Sequence, residues 1–167
     1  MCMFTRNKSR ALIRITLVAL MGTLSVLCLA QFAGGEGTAD DPYQVQTIAH
    51  LLLIGTDYVG GQQANVYFRQ IEHIDISGVA QWTPIGNEAA SPFHGKYNGA
   101  GFEIRSMRRT TSLSYFGLFG YTGTGAVLEN IHLTDVDVYA NNYSGTIVGR
   151  ATDTTIKYCS VQGQRRF

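Results

Sequence analysis

The sequence predicts an all-β solenoid in which short parallel strands stack coil upon coil behind an N-terminal strand-and-helix cap. Three observations carry this reading. The pattern apolar-x-x-apolar-x-apolar occurs at Ile71-x-x-Ile74-x-Ile76, Leu128-x-x-Ile131-x-Leu133 and Ile156-x-x-Cys159-x-Val161, with a degenerate copy at Gly99-x-x-Phe102-x-Ile104. Successive starts lie 28, 29 and 28 residues apart. A second landmark keeps the same period, since Tyr115 and Gly117 recur as Tyr143 and Gly145. Alternation within each copy marks a strand with one side inward. A unit this short buries its apolar side only by stacking on its neighbours.

Taken in order, residues 1–30 read as a secretory signal peptide. Arg6, Lys8, Arg10 and Arg14 precede the apolar run Ile15–Leu29, and Cys28-Leu29-Ala30 places small residues around a cleavage point after Ala30. A membrane anchor is the alternative, but a spanning helix needs about 20 apolar residues. A lipoprotein acceptor at Cys28 fits less well, because the preceding Leu27 is large. Residues 31–60 form a leader and cap: Asp41-Pro42-Tyr43-Gln44-Val45 turns into a short strand. Thr47 caps a helix over Ile48–Ile54, closed by Gly55. Residues 61–163 are the repeats. Here Ile74, Phe102, Ile131 and Cys159 are expected to form one inward ladder, and Ile76, Ile104, Leu133 and Val161 the next. Gly117, Gly120, Gly145 and Gly149 are expected at tight bends. Residues 164–167 form a short tail with no cap. That bare end predicts a truncated or frameshifted piece of a longer protein, able to self-associate through its last coil.

Composition narrows the function classes. The chain has 167 residues, 45% hydrophobic and only 15% charged, which with the periodic patterning argues against disorder. Without its first 30 residues it carries nine basic and twelve acidic side chains, net −3, so nothing marks a nucleic-acid partner. Cys159 alone remains of the three cysteines and cannot form an internal disulfide; it reads as a small buried hydrophobe.

The outward residues between the inward ones form an expected column: Asp75, Glu103, His132 and Ser160. Asp75 and Glu103 would then be a carboxylate pair about 5 Å apart, the spacing of a retaining glycosidase. A polar face that keeps the solenoid soluble explains the same residues. No histidine spacing matches a zinc motif, and Asp135, Asp137 and Asp153 lack calcium-loop spacing, so no metal or cofactor is expected. Gly120-x-x-Gly123-x-Gly125 opens no helix and reads as a turn rather than a phosphate loop. Arg105, Arg108 and Arg109 make a small basic cluster at a turn. Tyr139 and Tyr143, with His132, are the candidate ligand-binding residues; exposed stacked rings would suit a sugar, and corner rings packed inward would suit the core.

Gly117-Leu118-Phe119-Gly120 resembles the tetrapeptide that names the GLUG repeat. The strings YFGLFGYTGTGAVLENIHLTDVDV and YSGTIVGRATDTTIKYCSVQG resemble two consecutive GLUG repeats, the second departing at Gly145–Gly149. The entry GGEGTADDPYQVQTIAHLLLIG is similar to the leader that precedes them in secreted bacterial proteins. The resemblance covers residues 34–163 and implies a right-handed parallel β-helix of about four coils on an exported or surface protein. The expected role is a non-catalytic structural or adhesive module that presents stacked faces to a glycan or a surface protein. The alternative is part of a β-helix polysaccharide lyase or glycosidase using Asp75 and Glu103.

Overall fold

The computed structural model describes residues 31–60, 64–139 and 142–166. The expected signal peptide and Phe167 lie outside them. The elements are β1 (Tyr43–Val45), α1 (Ile48–Asp57), β2 (Tyr67–Gln70), β3 (Ile74–Asp75), β4 (Lys96–Asn98), β5 (Glu103–Arg105), β6 (Arg108–Arg109), β7 (Phe119–Thr122), β8 (Val127–Glu129), β9 (His132–Tyr139), β10 (Val148–Ala151), β11 (Thr155–Lys157) and β12 (Ser160–Arg166). Every pairing is parallel. One sheet runs β1-β2-β4-β8-β11, a second runs β3-β5-β9-β12 with β6 also on β9, and β7 pairs with β10 in a third. The chain is therefore a parallel β-helix: a cap strand, then four coils that each add one strand to the first sheet.

Stacking places like residues over like. Phe68, Tyr97, Leu128 and Ile156 form one inward ladder, and Ile74, Ile104, Leu133 and Val161 another. Phe68, Phe93 and Phe119 continue the core along the axis, with ring centroids 6.0 and 4.9 Å apart. Ile76 and Ile131 are also buried.

The register corrects the expected ladders in the first coil. Ile74 lies opposite Ile104, not Phe102, and Asp75 lies opposite Arg105. The cause is corner length: four residues separate Asn98 from Glu103, where two separate the partners Glu129 and His132. Ile71 falls in a corner and is half-buried, as are Phe102 and Cys159. Ile156 and Val161 are 45% and 40% exposed, because no further coil among the described residues covers them. Strand β12 also continues to Arg166, past the end expected at residue 163.

Corners recur at fixed places. Left-handed φ angles pair up across coils at Gly125 and Asp153, Asn130 and Tyr158, Ser106 and Asp135, and Tyr115 and Tyr143. Asn, Asp and Gly tolerate this conformation; tyrosine does so at a cost. The four glycines expected at bends answer to a different constraint. A Cβ on Gly120 would lie 2.6 Å from the Tyr115 carbonyl oxygen, and one on Gly149 would lie 2.7 Å from the Gly120 carbonyl oxygen. They are needed for close approach of backbone between coils.

The cap closes one end. Thr47 Oγ1 accepts the His50 N–H, as a helix N-cap should, but α1 runs through Gly55 to Asp57. Gly55 needs no special φ, and Leu51 and Ile54 are buried beneath it. Phe32 stacks on Tyr43 at 4.6 Å and touches Phe68, so the leader folds onto the first coil. Burial raises the Tyr58 phenol to about 12, helped by its hydrogen bond with Tyr43. Gln70, fully buried, ties the first two coils: its Nε2 donates to the carbonyls of Glu72 and Glu103, and its Oε1 accepts the Tyr97 hydroxyl.

His50 Nδ1 accepts the Gln46 N–H at 3.0 Å. Burial lowers its pKa, opposed by a backbone hydrogen bond with Gln31. The folded state thus prefers neutral His50. Its contribution is complete above about pH 6.5, the unfolded value, and is lost as pH falls through that value. The melting temperature should fall between pH 7.5 and 5.0, and less so in His50→Gln; identical profiles would remove His50 from the account. Glycine substitutions should differ in sign. Gly120→Ala should destabilise by about 2–3 kcal/mol. Gly55→Ala should stabilise by about 0.5–1 kcal/mol, since its Cβ would meet only Ile85 at 3.8 Å. Denaturant unfolding of the two variants reads both.

Candidate functional site

Three outward surfaces carry chemistry. On the second sheet, one column is Glu103, His132 and Ser160, and the neighbouring one is Asp75, Arg105 and Thr134. The expected Asp75–Glu103 pair is therefore not formed. Glu103 instead binds Arg105 Nε at 2.7 Å and lies 4.0 Å from His73. Asp75 accepts the Ser77 N–H at 2.8 Å, and that bond holds its carboxyl below the usual aspartate range. A general acid needs the opposite shift. His132 Nδ1 and Ser160 Oγ are 2.6 Å apart, which puts a hydroxyl on an imidazole. The Ser160 N–H is committed to the Ile131 carbonyl and offers no oxyanion donor there.

On the first sheet the outward column is Arg69, Asn98, Glu129 and Lys157. Glu129 accepts from Asn98 at 2.8 Å and pairs with Lys157 at 2.8 Å. Lys96 reaches along the face to the carbonyls of Ala64 and Gly125, and partial burial lowers its pKa. The leader at Ala39 and Pro42 roofs this face into a groove of about 420 Å³. Its polar groups are largely spent on one another.

The third surface is the corner between the second and third sheets. Tyr143 stacks on Tyr115 at 5.2 Å and 13°, and Tyr121 lies beside Tyr115 at 6.2 Å and 23°. The Arg150 guanidinium sits over Tyr121 and Tyr143, at 5.1 and 5.7 Å. The Tyr121 hydroxyl reaches Thr152 Oγ1 at 3.1 Å. Tyr143 is 59% exposed, so the outward reading of this residue holds rather than packing into the core. Tyr139 is 46% exposed at the end of β9, apart from this stack. Arg150 carries no sequence signal of its own; only the register opposite Tyr121 brings it to the rings.

Cys159 is half-buried with a raised thiol pKa, chiefly from burial, which fits its reading as a packing residue. Gly120 lies within β7, so the glycine run opens no helix. Among the described residues no group of three metal-ligating side chains converges, and no helix is long and apolar enough to cross a membrane.

No family model matches the chain. It is 37% identical over 110 residues to a protein of Evansella cellulosilytica named "Putative Gly-rich membrane protein", and 32% identical over 120 residues to "Halomucin" of Haloquadratum walsbyi. These alignments cover 62% and 69% of this chain but only 12% and 1% of those proteins. The chain spans a small part of either relative. Among solved structures it resembles one described as "a putative immunoglobulin A1 protease from Bacteroides ovatus". The TM-score is 0.59 at 18% identity, covering 80% of this chain and 41% of that one. At that identity the likeness shows the fold alone.

The electrostatics of the second sheet can be checked by carboxyl NMR titration. Asp75 should titrate below about 3.9, the unperturbed aspartate value. A midpoint above that value would reopen a general-acid role.

Proposed function

We propose that the chain is an exported, surface-associated repeat module of GLUG type, non-catalytic, that holds a glycan or protein partner on its stacked outer faces. The carrying observation is the in-register stack of four coils, which repeats each outward residue position along the axis and presents columns rather than a cleft. The carboxylates expected for catalysis are separated by the register and bound to neighbours. The apolar run after Arg14 supports export. The names of the two relatives, a membrane protein and a halomucin, support a place at the cell surface. GLUG membership rests on the ordered motifs from residue 34 to 163, and the close approach of Gly120 and Gly149 gives their glycines a physical role.

The test is to express the full chain with a C-terminal epitope in a bacterial host. Intact mass of the exported form and retention on immobilised glycans and surface proteins are then measured. The expected outcome is a product beginning at Gln31, outside the cytoplasm, retained by at least one ligand without cleaving it. An unprocessed cytoplasmic product, or cleavage of a polysaccharide, would contradict the proposal.

A further inference from the structure

We infer that the corner built by Tyr115, Tyr121, Tyr143 and Arg150 binds an acidic polysaccharide, its sugar rings against the tyrosines and its anionic groups on the guanidinium. This rests on the glycan reading above and names the class of glycan.

The four side chains come from two successive coils and meet because β7 and β10 pair in register, Tyr121 opposite Arg150. Stacking on the rings uses the flat face of the guanidinium. Its in-plane N–H donors remain outward, in the fork that matches a planar carboxylate or a sulfate oxygen pair. No carboxylate among the described residues lies within ion-pair distance of Arg150, which is exposed. A cation held rigidly over aromatic rings, with no internal anion, is preorganised for an external one.

Backbone strain points the same way. Tyr115 and Tyr143 have φ of 58° and 56°, a region costly for a bulky side chain. Glycine would make the same bend with less strain. What tyrosine adds is a ring, and with 59% exposure of Tyr143 that ring is not there to fill the core. Tyrosine presents an apolar body with a hydroxyl at its edge, suited to the apolar face and hydroxyl rim of a pyranose. Coils repeat about every 4.8 Å along the axis, close to the advance per sugar in an extended polysaccharide. A chain lying along the axis would therefore meet one row of the platform with each residue.

The test measures affinity of the full exported chain for three probes of equal length: oligogalacturonate, a sulfated oligosaccharide and neutral cello-oligosaccharide. Two variants separate the parts. Tyr143→Gly removes the ring while keeping the bend, and Arg150→Gln removes the charge. The expected result is that at least one acidic probe binds more tightly than the neutral one, and that each variant weakens it by about tenfold with no loss of melting temperature. A preference for the uronate or for the sulfate identifies the anionic group. Equal binding of the neutral probe, unchanged affinity in both variants, or no acidic binding overturns the assignment. If another glycan or protein is still retained, the surface-module reading survives; if nothing is retained, both fall.

Discussion

Each coil must return the chain to the same register one strand spacing further along the axis. In a parallel sheet every strand needs a crossover, and here the crossovers are the other faces of the same coil. Corner backbone is held by the neighbouring coil as much as by its own, as where Gly99 N–H donates to Glu129 and Asn130 N–H to Lys157. The requirement explains why left-handed residues recur above one another. It also explains why Gly120 and Gly149 have no room for a Cβ. Residues can be inserted only where a corner bulges outward, as at Gly99–Gly101.

Much of this was legible in the sequence because the last three coils keep nearly constant corners. The 28-residue spacing of Leu128 and Ile156 is also the spacing of their hydrogen-bonded partners. It fails at the first coil for a physical reason. A motif counts residues across a corner, whereas the ladder counts paired strands, and the Gly99–Gly101 corner is longer. That slip exchanged Glu103 for Arg105 opposite Asp75, and so dissolved the carboxylate pair. The helix end was misread for a related reason: Gly55 often ends a helix, but here its φ is ordinary and tertiary packing carries the helix another turn.

The surfaces differ in what remains available. On the first sheet, Glu129, Asn98 and Lys157 satisfy one another, and Lys96 is spent on carbonyls. On the second, Glu103 is spent on Arg105. Such ladders stabilise an outward face with little left for a ligand. At the tyrosine corner the cation faces rings rather than a carboxylate, and the distinction was invisible in sequence because Arg150 is isolated there. Tyr143 was visible as a candidate because its repeat mate Tyr115 stands 28 residues earlier.

The measurement that bears most directly on the account is disulfide trapping of the corrected register, in a background where Cys159 is replaced by Ser. Asp75→Cys with Arg105→Cys places two thiols on directly paired residues of adjacent parallel strands. Asp75→Cys with Glu103→Cys offsets them by two residues, beyond the roughly 7 Å Cα separation that a disulfide can bridge. The account predicts rapid, complete oxidation of the 75/105 pair and none of the 75/103 pair. Cross-linking of 75/103 in preference would contradict the register, and with it the separation of the two carboxylates.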